Sequence, residues 1–146
     1  MKIRMAGLAV LACCVAGAAI ASAEIDVIAV RKAGMRLESS TLGAVKLAVG
    51  AGAEVKSFAG AGAALSFWAK QLPSLFPPGT DKGGDTKALP AIWSDSAGFA
   101  KALAAGVAAA DKLTAAAKAN DKDAFEAAFK EVGNACAGCH KTYREQ

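Results

Sequence analysis

Five consecutive residues near the C-terminal end, Cys136-Ala137-Gly138-Cys139-His140, carry the clearest chemistry in this chain. On a helix, residues three apart share a face, so both thiols can reach the two vinyl groups of one porphyrin and form thioethers. The next residue then offers an imidazole to the iron from the same edge, and neutral imidazole is a good iron ligand. C-x-x-C-H is accordingly the attachment pattern of c-type haem. It makes Cys136 and Cys139 the candidate covalent attachments of one haem c, and His140 the candidate proximal iron ligand.

Three other uses of the same residues compete. A Cys136–Cys139 disulfide suits an oxidising compartment but leaves the adjacent histidine, the only one in the sequence, without a purpose. A thioredoxin-like pair belongs beside a βαβ pattern, which is absent. A structural zinc ion takes four ligands, whereas beyond the N-terminal segment the chain offers only three cysteines and histidines. Haem accounts for all three.

The N-terminal segment is read apart from the fold. Lys2 and Arg4 precede an uncharged apolar run from Ala6 to Ile20, and Ala21-Ser22-Ala23 supplies small residues for cleavage. This is a secretory signal; as a retained membrane anchor the run falls short of the roughly 20 apolar residues a span needs. The expectation is a removed segment 1–23 and one exported, periplasmic domain over 24–146 with no permanent membrane anchor. Cys13 and Cys14 leave with the signal. Without Lys2 and Arg4 the chain keeps 15 basic against 13 acidic side chains, a formal +2, and two haem propionates would bring it near neutrality. No basic stripe with interleaved aromatics points to nucleic acid.

Four helical stretches must position the motif. Ile28, Met35, Leu42, Val45 and Val49 form one stripe over 26–49, ending at Gly50-Ala51-Gly52. Phe58, Leu65, Trp68 and Leu72 align over 56–72. A Pro/Gly-rich connection, 73–90, follows with Pro77-Pro78-Gly79 and Gly83-Gly84 as turn signals. Phe99, Leu103, Val107 and Ala110 align over 95–119, with Ser94 as the expected N-cap. Asn120 is the expected cap of a last helix whose stripe, Phe125, Phe129, Val132, Cys136, Cys139 and Tyr143, runs into the motif. No alternating run argues for a strand. The pattern is an all-α, antiparallel up-down four-helix bundle with a crossover between two hairpins.

An attachment motif at the C-terminal end of four helices, continued as His140-Lys141-Thr142-Tyr143-Arg144, resembles the class II cytochromes c, the family of cytochrome c′ and its low-spin relatives. Leu75-Phe76-Pro77, Pro90-Ala91-Ile92-Trp93-Ser94 and Arg31-Lys32-Ala33-Gly34-Met35 are similar to that family's segments too. The resemblance implies haem packed among the helices near one end. It also implies that Met35 faces the iron, either as a distal ligand in a six-coordinate electron carrier or as an unbound lid over a five-coordinate iron open to NO or CO. Met35 is the only methionine outside the first 23 residues, and a thioether is a soft ligand suited to haem iron. The reading adopted from the sequence is therefore electron transfer with His140 and Met35 as axial ligands and a redox partner protein. A gas-binding cytochrome c′ is the alternative.

Further haem contacts expected are Arg31 and Arg144 with the propionates, and Phe129 and Tyr143 against the porphyrin. Trp68 and Trp93 read as core residues or loop anchors. Enzymatic chemistry such as peroxidation needs a second distal acid–base group, usually histidine, and none exists. The family includes dimers built from the first two helices, which the glycine-rich start of the second helix leaves open here.

Overall fold

The computed structural model describes residues 25–146, so the expected signal segment and its cleavage after Ala23 lie outside the described residues. Helix α1 runs over Val27–Gly50, α2 over Ala59–Gln71, the short α3 over Ala91–Ser94, α4 over Ser96–Ala119 and α5 over Lys122–Tyr143. Short 3-10 turns extend α2 at both ends, Val55–Phe58 and Leu72–Leu75. Pro73 therefore sits inside the second helical arm, where a tighter turn tolerates its missing N–H. Among the described residues no strand forms, and the backbone pairs only at an isolated bridge between Ala88 and Arg144.

Alanine makes up half of α4, and with no side-chain entropy to lose it favours helix at every position. The three longest helices, α1, α4 and α5, each start on an aspartate. The Asp26, Asp95 and Asp121 carboxylates accept from the backbone N–H groups of Ala29, Gly98 and Ala124 at 2.9–3.0 Å. Two expected caps are thereby corrected. Ser94 closes α3, its hydroxyl donating back to Pro90 O, and leaves the cap of α4 to Asp95. Asn120 ends α4 in the left-handed conformation, φ 53°, which asparagine tolerates better than most residues. Its Oδ1 accepts from Lys56 N at 3.2 Å, tying the α4–α5 turn to the start of the second arm.

The core falls into two clusters. The first, at the bundle's far end, joins Val45, Val55, Leu65, Leu113, Phe125 and Val132, with Phe125 and Leu113 1% exposed. The second joins Leu72, Ile92, Phe99, Leu103 and Tyr143 beside the C-terminus of α5. Helix α4 packs against both α2 and α5, whereas α1 leans on α2 and the 72–75 turn and barely approaches α5. That separation opens the space the site occupies. Glycine permits the tight crossings: a Cβ on Gly62 would lie 2.6 Å from Thr114 Oγ1, and one on Gly34 would overlap the Trp68 ring. Among the described residues no helix is long and apolar enough to cross a membrane.

Candidate functional site

Helix α5 is regular through Cys136 and His140, and both thiols are free. Burial pushes both thiols above their usual range, with the Glu38 carboxylate adding to the shift at Cys136 and Cys136 itself adding to that at Cys139. A redox-active dithiol pair needs a lowered thiol pKa, so the shift runs against the thioredoxin-like reading. Burial, helped by the Arg144 charge, lowers the His140 imidazole below its ordinary value. It is therefore held neutral, the form in which it can ligate a metal.

Two adjoining cavities of about 520 and 280 Å³ lie between α1, α2, α4 and α5 and share Met35, Ser39, Leu72, Leu103, Cys139 and His140 on their walls. The larger volume alone, and the two together, are in the range of ligand sites, roughly 300–1,000 Å³. The inner cavity is walled by apolar groups such as Leu42, Leu65, Trp68 and Val132, with Cys136 at its edge. The outer one opens among Lys32, Arg36, Lys87 and Arg144, with Asp85 the one acidic side chain on its wall. Together they make a slot with an apolar floor and a cationic mouth, into which an apolar macrocycle bearing two carboxylates fits. The thiols and imidazole lie on one wall and Met35 on the α1 side.

Tyr143 is buried on the outer wall, edge-on to Phe99 with ring centroids 5.3 Å apart, and its hydroxyl donates to Asp95 Oδ2 at 2.8 Å. Burial first, then this hydrogen bond, raises the phenol above its ordinary value. Gly98 is required here, because a Cβ would overlap Asp95 Oδ2 and crowd the Tyr143 hydroxyl. Arg144 lines the mouth, free of ion pairs among the described residues.

Phe129 is brought elsewhere: it stacks on Phe125, centroids 6.4 Å apart, packs on the far core and lines neither cavity. Seven residues before Cys136 place it about 10 Å down the helix axis. It shares the stripe of the motif but not its depth.

Arg31 is only 3% exposed, and its guanidinium is engaged by protein acceptors. Nη1 donates to Leu75 O and Thr80 Oγ1 at 3.1 and 2.9 Å, and Nη2 to Thr80 O and Thr86 Oγ1 at 2.6 and 2.7 Å. The group also lies 4.5 Å over the Phe76 ring. Trp93 anchors the same connection, its indole N–H donating to Phe76 O at 2.9 Å.

Sequence reasoning missed Glu38 and Phe76 as wall residues, and read Phe99 and Leu103 as core alone. Glu38 stands four residues after Gly34 and three after Met35, spacings that place it on the slot side of α1. Its carboxyl is pushed up by burial, and its Oε2, like the Trp68 indole nitrogen, is buried without a hydrogen-bond partner.

Comparison with known proteins agrees with this geometry. The family model described as cytochrome C′ matches residues 26–144. Cytochrome c′ of Rubrivivax gelatinosus is 51% identical over 77 residues, 52% of this chain, so the chain spans only 60% of that relative's length. Cytochrome c′ of Rhodopseudomonas palustris is 36% identical over 146 residues, 99% of this chain and 97% of its own. Among solved structures, a nitric oxide complex of a variant cytochrome c prime from Alcaligenes xylosoxidans superposes with a TM-score of 0.74 at 32% identity, covering 83% of this chain and 94% of that one. A cytochrome c′ with ligand-controlled dimer dissociation gives 0.76 at 28% identity, over 82% and 95%. The relatives are haem cytochromes rather than enzymes, their structures are four-helix bundles, and this chain belongs to the cytochrome c′ family, a c-type cytochrome carrying one covalently attached haem c.

Proposed function

We propose that the protein is a periplasmic haem sensor or carrier of the cytochrome c′ kind, which binds a small gas such as NO or CO at an open iron position beneath Met35. Bound haem supplies an iron that cycles between ferric and ferrous states and can take a diatomic ligand. The residues of this chain do the rest. Cys136 and Cys139 tether the macrocycle, and His140, held neutral by burial, is the proximal ligand. Arg36, Lys32 and Arg144 offer charge at the mouth, and the apolar inner walls exclude water. Met35 covers the other side as a flexible apolar lid.

The observation that carries this reading is the match to cytochromes c′ across residues 26–144, together with the nitric oxide complex of a structural relative. The first reading from the sequence, electron transfer through a six-coordinate iron with Met35 bound, is kept as the second. It is favoured by Met35, the one methionine among the described residues, standing on the same slot as His140. Export fits a family whose haem is covalently held. A homodimer through α1 and α2 is supported by Leu37, Leu47 and Phe67, exposed by 64%, 77% and 65%.

The deciding measurement is the optical spectrum of the purified protein, oxidised and dithionite-reduced, with and without CO. A broad, unsplit reduced band and rapid, complete CO binding are expected. Sharp split bands and resistance to CO would replace the proposal by a His140–Met35 electron carrier.

A further inference from the structure

We propose that Arg31 is a positioning residue whose task is to hold the crossover loop as the outer wall of the slot, rather than a cation for the haem propionates. The inference rests on the slot being the haem site. Each of the four N–H groups on Nη1 and Nη2 has an acceptor, two of them backbone carbonyls, Leu75 O and Thr80 O. Swinging the guanidinium to a propionate would take the charged donor from those half-buried carbonyls and leave the two threonine hydroxyls only their bonds within the loop, Thr80 Oγ1 to Pro77 O and Ala88 N to Thr86 Oγ1. Hydrogen bonds to a charged group are the strong ones, and a planar fork matched to four acceptors is not given up for one carboxylate.

The loop is held from two sides. From α1, Arg31 grips Thr80 and Thr86, while Lys32 Nζ donates to Gly84 O and Asp85 O at 2.7 and 3.1 Å. From the end of α5, Tyr143 O accepts from Leu89 N at 3.0 Å, and Glu145 N donates to Lys87 O at 2.8 Å. Asp85, Thr86, Lys87 and Ala88 thereby become the wall of the mouth. On the α5 side the tie is backbone to backbone with an exposed Lys87–Glu145 ion pair beside it; on the α1 side it is two side chains, of which Arg31 is the buried one. Removing that side chain releases the wall without touching the helix that carries the motif.

The test uses the haem-loaded protein and three variants, R31K, R31Q and T80V/T86V. Amide exchange is read at Thr80 and Thr86, whose N–H groups donate to Pro77 O and Gly83 O. All three variants should exchange there about ten-fold faster or more. All three should also lower the reduction potential, because loop opening exposes the haem edge to water. R31K is not a rescue, since an ammonium cannot serve four planar acceptors. A propionate cation predicts otherwise: R31K keeps the wild-type potential and loop exchange, T80V/T86V keeps the wild-type potential, and only R31Q shifts the potential. That pattern would overturn the proposal. If the Arg31 variants fail to fold, the reduction potential of T80V/T86V decides, because that variant keeps the charge; its loop exchange does not, since the bonds Thr80 Oγ1 to Pro77 O and Ala88 N to Thr86 Oγ1 are lost with the two acceptors. The mass of the Cys136–Cys139 peptide checks the haem reading separately: absence of haem there sinks that reading while leaving loop exchange measurable.

Discussion

Replacing Gly34 by alanine tests how the distal side of the slot is built. Gly34 and Gly43 are both interior to α1, and in an isolated helix either substitution would gain about 1 kcal/mol in propensity. Their surroundings differ. A methyl at Gly43 meets nothing within 4 Å, whereas one at Gly34 would overlap Cη2 and Cζ2 of Trp68. G43A should therefore stabilise by about 0.5–1 kcal/mol. G34A gains the same propensity but forces an indole aside, and overpacking costs about 1–3 kcal/mol, so a net loss of about 1–2 kcal/mol is expected. In a W68A background the obstruction is gone and G34A should become favourable, a coupling of about 2–3 kcal/mol. Denaturant titration of the haem-loaded protein, followed by far-ultraviolet circular dichroism, measures all four corners of the cycle. Since Trp68 walls the inner cavity beside Met35, G34A alone should also perturb the Soret band, while G43A should not. Equal effects of G34A in both backgrounds, within about 0.5 kcal/mol, would refute the claim that Trp68 lies on Gly34.

Phe125, 1% exposed in the far core, should cost about 3–5 kcal/mol as alanine, measured by denaturant titration with the haem spectrum little changed. Burial raises the Glu38 carboxyl above its ordinary 4.5, so the folded state holds its proton more tightly than the unfolded chain. Stability should then be highest below that pH, fall as pH rises from about 4.5 through the raised value, and level off above it. E38Q should remove this slope and be the more stable protein at pH 7; an unchanged thermal-melt profile would place Glu38 in water. M35A should leave the reduced spectrum high-spin and speed CO association in stopped flow, because a lid has been removed. Conversion of a low-spin spectrum to high-spin would instead identify Met35 as a ligand.

The attachment motif, the helical stripes and the crossover are legible in the sequence because each depends on neighbours within a turn or two. Cys136, Cys139 and His140 are set by spacing along one helix, and an alanine-rich amphipathic run is a helix almost wherever it lies. Caps are nearly as local, yet tertiary structure chose between adjacent candidates. Lys56 N takes the Asn120 side chain and α3 takes Ser94, leaving Asp121 and Asp95 to cap. What the sequence alone could not decide is what each side chain meets across the bundle. Periodicity reports the face of a helix and not the depth along it, so Phe129 shared the motif's stripe while belonging to the other core. A lone arginine reads as a partner for an anion, but its acceptors are 44 to 55 residues away and exist only once the crossover folds back over α1. Glu38, polar beside an apolar stripe, reads as solvated until α2 brings Trp68 against Gly34 and closes water out. Local spacing determined the chemistry of the motif; long-range packing determined the walls around it, because burial is a property of the assembled bundle and of no single segment.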